Sequence, residues 1–252
     1  MGIVLAFAFF AAAVAATAFS IRRARNRARN RDFEELARQL GLSFSAGDSF
    51  GLLKQLKDFE LFRRERRWIG RGGRIQNVLH GRVGDTEVFL FDYTYIVSTG
   101  KSARRITQTV FFANNTNWFL PDFKLKPETW WRKVLAAFGQ TDINFPESPE
   151  FSDQFWVTGE FESLIRKTFS PSVQQFLANR PPVHLEGNNY YLLAYKPRRA
   201  LSAAEAAVFF RQCNELVSVL QREDDKMELL DLADIQKAPD KMPLKAPKDQ
   251  EE

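Results

Sequence analysis

Apolar side chains recur along this chain with three different periods, and each period predicts a different element. Residues 2–21, GIVLAFAFFAAAVAATAFSI, form a run without a single charged side chain. Beyond it, Phe33, Leu36, Ala37 and Leu40 fall on one face of a helix. Asp32 and Glu35 have the spacing of a capping box, so this helix is expected to start at Asp32, and Gly41 to stop it. A second helical stretch is expected near residues 49–59, with Phe50, Leu53 and Leu56 at helical spacing.

The period then drops to two. RIQNVLHGRVGDTEVFLFDYTYIV reads as a β-hairpin with VGDT as its turn. Phe89, Phe91, Tyr93 and Tyr95 share one face of its second strand; Val88, Leu90, Asp92, Thr94 and Ile96 share the other. Both faces are largely apolar, which predicts a central strand covered on both sides. Residues 105–113 read as a third strand. In LPDFKLKPETWWRKVLAAFG, Pro127 suits a first helical turn, Trp131, Val134, Leu135 and Phe138 make a stripe, and Gly139 terminates it. FWVTG is a short strand. Phe161, Leu164 and Ile165 mark a helix, and Ser170-Pro171 opens another containing Val173, Phe176 and Leu177. VHLEGNNYYLLAYK predicts a second hairpin turning at Gly187-Asn188-Asn189. The last helix opens with a Ser202/Glu205 capping box and lines up Phe209, Cys213, Leu216, Val217 and Leu220.

These elements predict an α+β body built on antiparallel sheet with helices packed on one face. A hairpin followed by a helix occurs around residues 78–138 and again around 183–220, so the body is expected to comprise two similar halves. The expected organisation is a transmembrane helix over 1–21, an Arg-rich juxtamembrane segment over 22–31, the body over 32–221 and a disordered charged tail over 222–252.

Length and charge turn the first run into a membrane expectation. Twenty residues at about 1.5 Å each make a helix of roughly 30 Å, the thickness of a bilayer's hydrocarbon core. Six arginines (Arg22, Arg23, Arg25, Arg27, Arg29 and Arg31) follow the run and none precedes it. Positive flanks stay on the cytoplasmic side, which sets the N-terminus outside and the body at the cytoplasmic face of the cell inner membrane. The same arginines are expected to contact anionic lipid headgroups. A secretory signal wants its charges before the apolar run, so the alternative, an exported or periplasmic-facing body, fits the pattern less well. The net charge of +5 is concentrated in that one segment; the tail from Arg222 is acidic, with ten Asp/Glu against six Lys/Arg. Global basicity is therefore a poor argument for a nucleic-acid partner. The single cysteine excludes an intrachain disulfide.

Little in the body has the spacing of chemistry. STGKS, residues 98–102, lacks the upstream glycine of a phosphate loop, since Tyr95 stands at that position. His80, His184 and Cys213 do not make a zinc spacing, and neither a metal nor a cofactor is expected. Cys213 shares an apolar stripe and reads as a buried, inert thiol. Asp92 is the residue to examine, because a carboxylate inside an apolar strand must be paired. A salt bridge to Arg74 or Arg82 on the neighbouring strand is the structural expectation, and a ligand role the functional one. Arg71 and Arg74 in GRGGR, beside Arg63, Arg64, Arg66 and Arg67, form a basic loop suited to phosphates or lipid heads. Trp118, in NNTNWFLPDF, is a candidate for a binding loop or for capping the core. Asp92, Arg71, Arg74 and Trp118 are thus the candidate ligand contacts.

LARQLGLSF, NVLHGRVGDTEVFLFDYTY, FLPDFKL, DINFPESPEFSDQFWVTGE and VHLEGNNYYLLAYKPRR, taken together, resemble a family of uncharacterised bacterial single-pass membrane-anchored proteins. The resemblance implies a bacterial origin and a single-pass anchor, and carries over no catalytic residue. The expected function is a membrane-anchored module binding a protein partner or ligand at the cytoplasmic face. The alternatives are a membrane-tethered enzyme near Asp92 and the basic loop, or a phospholipid- or nucleic-acid-binding module.

Overall fold

A computed structural model describes residues 2–63, 73–98, 102–128 and 143–237, with side chains at all of these except 2–9, 11, 12, 15, 98 and 223–237. The chain opens with one uninterrupted helix, α1 (Gly2–Leu40). No break occurs at Asp32, which lies inside the helix, so the expected capping box there does not form. Residues 22–31 contain only Arg, Ala and Asn, with no glycine or proline to interrupt the backbone hydrogen bonds. The apolar run, the arginines and the first core residues therefore belong to one rod. Gly41 ends it at φ 68°, with Leu42 N–H donating to Ala37 C=O and Gly41 N–H to Arg38 C=O. That pair of bonds is a Schellman stop, and the left-handed backbone is why glycine stands there. Among the described residues no helix is long and apolar enough to cross a membrane. The span expected over residues 1–21 falls in part on residues and side chains outside the described set.

Then follow β1 (Ser43–Gly47), α2 (Leu52–Gln55), a 3-10 turn (Leu56–Asp58), and strands β2 (Arg74–Val83), β3 (Thr86–Ser98), β4 (Ala103–Asn114) and β5 (Leu120–Pro127). The second part comprises α3 (Pro149–Ser152), β6 (Phe155–Gly159), α4 (Glu162–Thr168), α5 (Pro171–Ala178), β7 (His184–Asn189), β8 (Tyr191–Tyr195) and α6 (Ala203–Lys237). The helix expected beyond Pro127, and the glycines and lysine of residues 99–101, lie outside the described residues.

The strands form one eight-stranded sheet in the order β1-β2-β3-β4-β8-β7-β5-β6, antiparallel throughout. The α+β class follows from this. Each half supplies four strands, but the first is a simple meander and the second is not, since β5 sits between β6 and β7. One sheet face is covered by α1, α4, α5 and α6, burying Phe33, Leu79, Leu90, Phe111, Ile165 and Phe209 among others. The other face, over β2–β4, is covered by residues 52–62, which bury Leu52, Leu56 and Phe62 against Phe89, Phe91 and Tyr93. The two-sided apolarity of β3 is thus explained by cover on both sides rather than by helices on one face alone. Each such phenylalanine contributes about 1.5–3 kcal/mol of burial free energy. The tail expected to begin at Arg222 is helical as far as Lys237.

Candidate functional site

Asp92 is 1 % exposed and is paired, but with neither Arg74 nor Arg82. Its partner is Arg29 of α1, which donates from Nε to Oδ2 at 2.6 Å and from Nη2 to Oδ1 at 2.7 Å. Arg74 is exposed at the start of β2, and Arg82 donates to the Asp85 carbonyl in the β2–β3 turn. Arg29 lies one helical turn before Phe33, with its guanidinium over that ring at 4.5 Å, so the phase of the apolar face carries it onto the sheet.

Three further groups close the Asp92 network. Asn77 donates from Nδ2 to Oδ2 at 2.8 Å, and Thr109 from its hydroxyl to Oδ1 at 3.1 Å. Asn77 sits at a β-bulge in β2 with φ 52°, which turns its amide toward the carboxylate. Leu201 N–H donates to the Thr109 hydroxyl at 2.9 Å, and Arg29 Nη2 also donates to the Leu201 carbonyl at 2.9 Å. Each Asp92 oxygen accepts two bonds, which fills the acceptor capacity of an ionised carboxylate. Asp92 therefore bolts α1, β2, β3, β4 and the entry to α6 together and has nothing left to offer a ligand.

Of the other sequence candidates, Arg71 lies outside the described residues. Trp118 is 2 % exposed, inside the core beneath the β4–β5 loop, while its neighbour Phe119 is 71 % exposed. Trp118 is thus a core-capping residue. Arg22, Arg23, Arg25, Arg27 and Arg31 are exposed on α1; Arg29, grouped with them as a headgroup contact, is instead committed to the fold. Cys213 is buried, and burial pushes its thiol pKa up, as its apolar stripe implies. His80 pairs with Glu87 at 2.8 Å. No cluster with metal-ligating composition occurs among the described residues.

The sequence reading missed a second buried carboxylate. Glu186 on β7 is 3 % exposed and faces the opposite side of the sheet from Asp92. It accepts the backbone N–H groups of Glu60 at 2.6 Å and Leu61 at 3.3 Å, and the Tyr195 hydroxyl at 2.9 Å. It thereby caps the helical turn at residues 60–63, where its oxygens accept N–H groups that have no partner within the turn. Burial raises its pKa, and the neighbouring Glu60 carboxylate raises it further, against the lowering effect of the three donors. Glu60 is in turn held by Lys126 at 3.0 Å, with Lys124 at 3.7 Å. Glu186, Glu60, Lys124, Asp122, Asn188 and Tyr191 line a small, solvent-open cleft of about 70 Å³. A buried carboxyl with a raised pKa, beside a lysine-paired carboxylate in a cleft, can hold a proton or a polar ligand. The signal was present: the alternation of HLEGN sets His184 and Glu186 on the face opposite Leu185 and Gly187.

Comparison with family models, with curated proteins and with solved structures gives no match, so this geometry stands on its own chemistry.

Proposed function

We propose that this chain is a membrane-anchored binding module, with residues 2–21 in a bilayer and the α+β body at its cytoplasmic face. The observation that carries the reading is the exposure of large apolar side chains on the free half of α1. Phe10 is 71 % exposed, Val14 53 %, Phe19 63 % and Ile21 50 %. Such side chains in a row on one helix have a lipid phase as their natural solvent. The exposed arginines immediately after them suit the headgroup layer and favour retention of the body on the cytoplasmic side. Because α1 continues unbroken into the core and is bolted by Arg29, the body is held at a fixed height rather than on a flexible leash. Its polar cleft around Glu186 is the place for a ligand, and Asp92 is a structural residue in this reading.

Alkaline carbonate extraction of membranes from bacteria expressing the full chain tests the anchor. The protein is expected in the pellet, and the Phe10→Glu/Val14→Glu variant in the supernatant. Full release of the unaltered chain would sink the proposal. A reporter fused after residue 252 tests sidedness: cytoplasmic activity is expected, and activity on the far side would reverse the topology.

A further inference from the structure

The direction of α1 relative to the sheet decides which end of the body faces the bilayer. Arg29 stands on Asp92, which pairs with Gln76 of β2, and Leu42, just past the helix, lies over Gly81 of the same strand. α1 therefore runs with β2 and against β3. From Asp92 onward, β3 climbs toward the side from which the free half of α1 departs.

Two lengths set how far it climbs. Ile21 is eight residues before Arg29, about 12 Å along the helix. Ser98 is six residues beyond Asp92, about 20 Å along an extended strand. Even when the strand is inclined to the helix, the end of β3 comes level with the end of the apolar run.

That end of the sheet is cationic. Arg74 opens β2 opposite Thr94; Arg104 and Arg105 open β4 opposite Val97 and Ile96; Arg198 follows β8. All four are exposed, and among the described residues none of them is in an ion pair. Of the carboxylates at the same end, Asp48 is spent on capping Leu52 and Leu53, and Glu128 and Asp153 adjoin β5 and β6, away from the strands on which α1 packs. At the opposite end the same strands carry Arg82 beside Asp85, while Asp122 and Glu160 belong to β5 and the end of β6, and Glu162 is paired with Arg166. The exposed arginines of β2, β4 and the residues after β8 thus gather at the end of the sheet toward the apolar run.

We infer that Arg74, Arg104, Arg105 and Arg198 form a second contact with anionic phospholipid headgroups, borne by the sheet and separate from the arginines of α1. Guanidinium groups suit the task because each offers a planar pair of donors to a phosphate and stays charged at any cellular pH. The inference rests on the reading that residues 2–21 lie in a bilayer. Headgroups are the favoured occupant because the apolar run emerges beside the patch and brings a bilayer to its level.

The test reconstitutes the full chain, with a fluorophore on Ala103→Cys, into vesicles of phosphatidylcholine alone or mixed with phosphatidylglycerol, each carrying a headgroup quencher. Cys213 is buried and leaves the new thiol as the labelled site. Quenching is expected to be stronger in the anionic vesicles. That excess should be lost in the Arg74→Gln/Arg104→Gln/Arg105→Gln/Arg198→Gln variant and at high salt, where surface charge is screened. Equal quenching in both vesicles, from protein that floats with them, overturns this contact and leaves the anchor standing. A response to an added single-stranded oligonucleotide but not to vesicle charge overturns it in favour of a nucleic-acid surface. Protein that fails to float with either vesicle overturns both the contact and the anchor.

Discussion

Arg29 and Asp92, 63 residues apart in the chain, meet through two hydrogen bonds of 2.6 and 2.7 Å in an ion pair whose carboxylate is almost wholly buried. The pair joins the basic segment of α1 to the middle of the sheet. One arginine of the six thus belongs to the fold. Helix phase makes the selection, because Arg29, Phe33, Leu36, Ala37 and Leu40 form a single stripe.

The pair is expected to show in a double-mutant cycle. Asp92→Ala removes the acceptor shared by Arg29, Asn77 and Thr109, and is expected to destabilise the body by about 3 kcal/mol. Arg29→Met leaves a buried carboxylate without its cation and is expected to cost a similar amount. The double variant should fall short of the sum by about 1–3 kcal/mol. Urea unfolding of the four proteins in detergent measures this, and strict additivity would remove the bolt from the account. The matching Arg27→Met change is expected to alter stability by less than about 0.5 kcal/mol, since Arg27 is exposed.

Glu186 makes a prediction with a definite sign. Its folded pKa is raised above 4.5, so the folded state holds this proton more tightly than the unfolded chain does. Its contribution is then complete below pH 4.5 and is lost as pH rises through the folded pKa. The stability of the unaltered protein minus that of Glu186→Gln is expected to grow on acidification from pH 7 to 4.5. A difference that is flat or shrinks over that interval would mean that the three donors outweigh burial. Tyr195→Phe removes one donor and is expected to raise the Glu186 pKa further, which carboxyl chemical shifts against pH would report.

The central strand, both hairpins and the α5 and α6 caps were legible because each is written locally. Alternation of apolar residues marks β3, and Ser170 accepts the Val173 N–H from its N-cap position as its place before Pro171 implies. What was not legible depends on distant partners. β5 carries Pro121 and Pro127, which argue against a strand; both are tolerated because Pro121 falls where the pairing with β7 shifts register and Pro127 ends the strand. β1 is five residues without a strong alternation and is specified by its pairing with β2. Asp92 was conspicuous from its apolar neighbours, but Arg29 looks no different in composition from Arg25 or Arg27. Glu186, Glu60 and Lys126 come together from three separate segments, and no one segment announces the cleft.

The second hairpin turns later than its glycine suggests. Gly187 is a strand residue opposite Phe123, and a Cβ there would run into the Phe123 ring. The turn falls instead at Asn189 and Tyr190, with Asn189 at φ 50°. Gly187→Ala is expected to cost about 1–3 kcal/mol by overpacking. Adding Phe123→Leu, which removes the ring, should recover part of that loss; a cost for the pair equal to the sum of the two would show that some other contact requires the glycine. Asn189→Gly, in contrast, is expected to change stability by a few tenths of a kcal/mol at most, since asparagine and glycine both accept a left-handed backbone.

The entry to α6 gives a prediction of opposite sign to that of Glu186. Glu205 accepts from the Ser202 N–H and hydroxyl, each at 2.9 Å, and from Arg199 at 2.6 Å, which lowers its pKa from 4.5 to about 2. Backbone and side-chain bonds from Ser202 are the leading causes, ahead of the charge of Arg199. A depressed folded pKa gives stability that is present above the unfolded value and is lost as pH falls through the folded one. Glu205→Gln is therefore expected to be less stable than the unaltered chain at pH 7, with the gap closing between pH 4.5 and about 2. Arg199→Gln removes the smaller cause and should leave most of the pH dependence in place; Ser202→Ala deletes the hydroxyl donor but keeps the backbone N–H, the largest cause, and should remove a larger part of it without abolishing it. If Arg199→Gln flattens the profile more than Ser202→Ala does, the ion pair rather than the capping box holds the proton off Glu205, and the helix start has been assigned to the wrong partner.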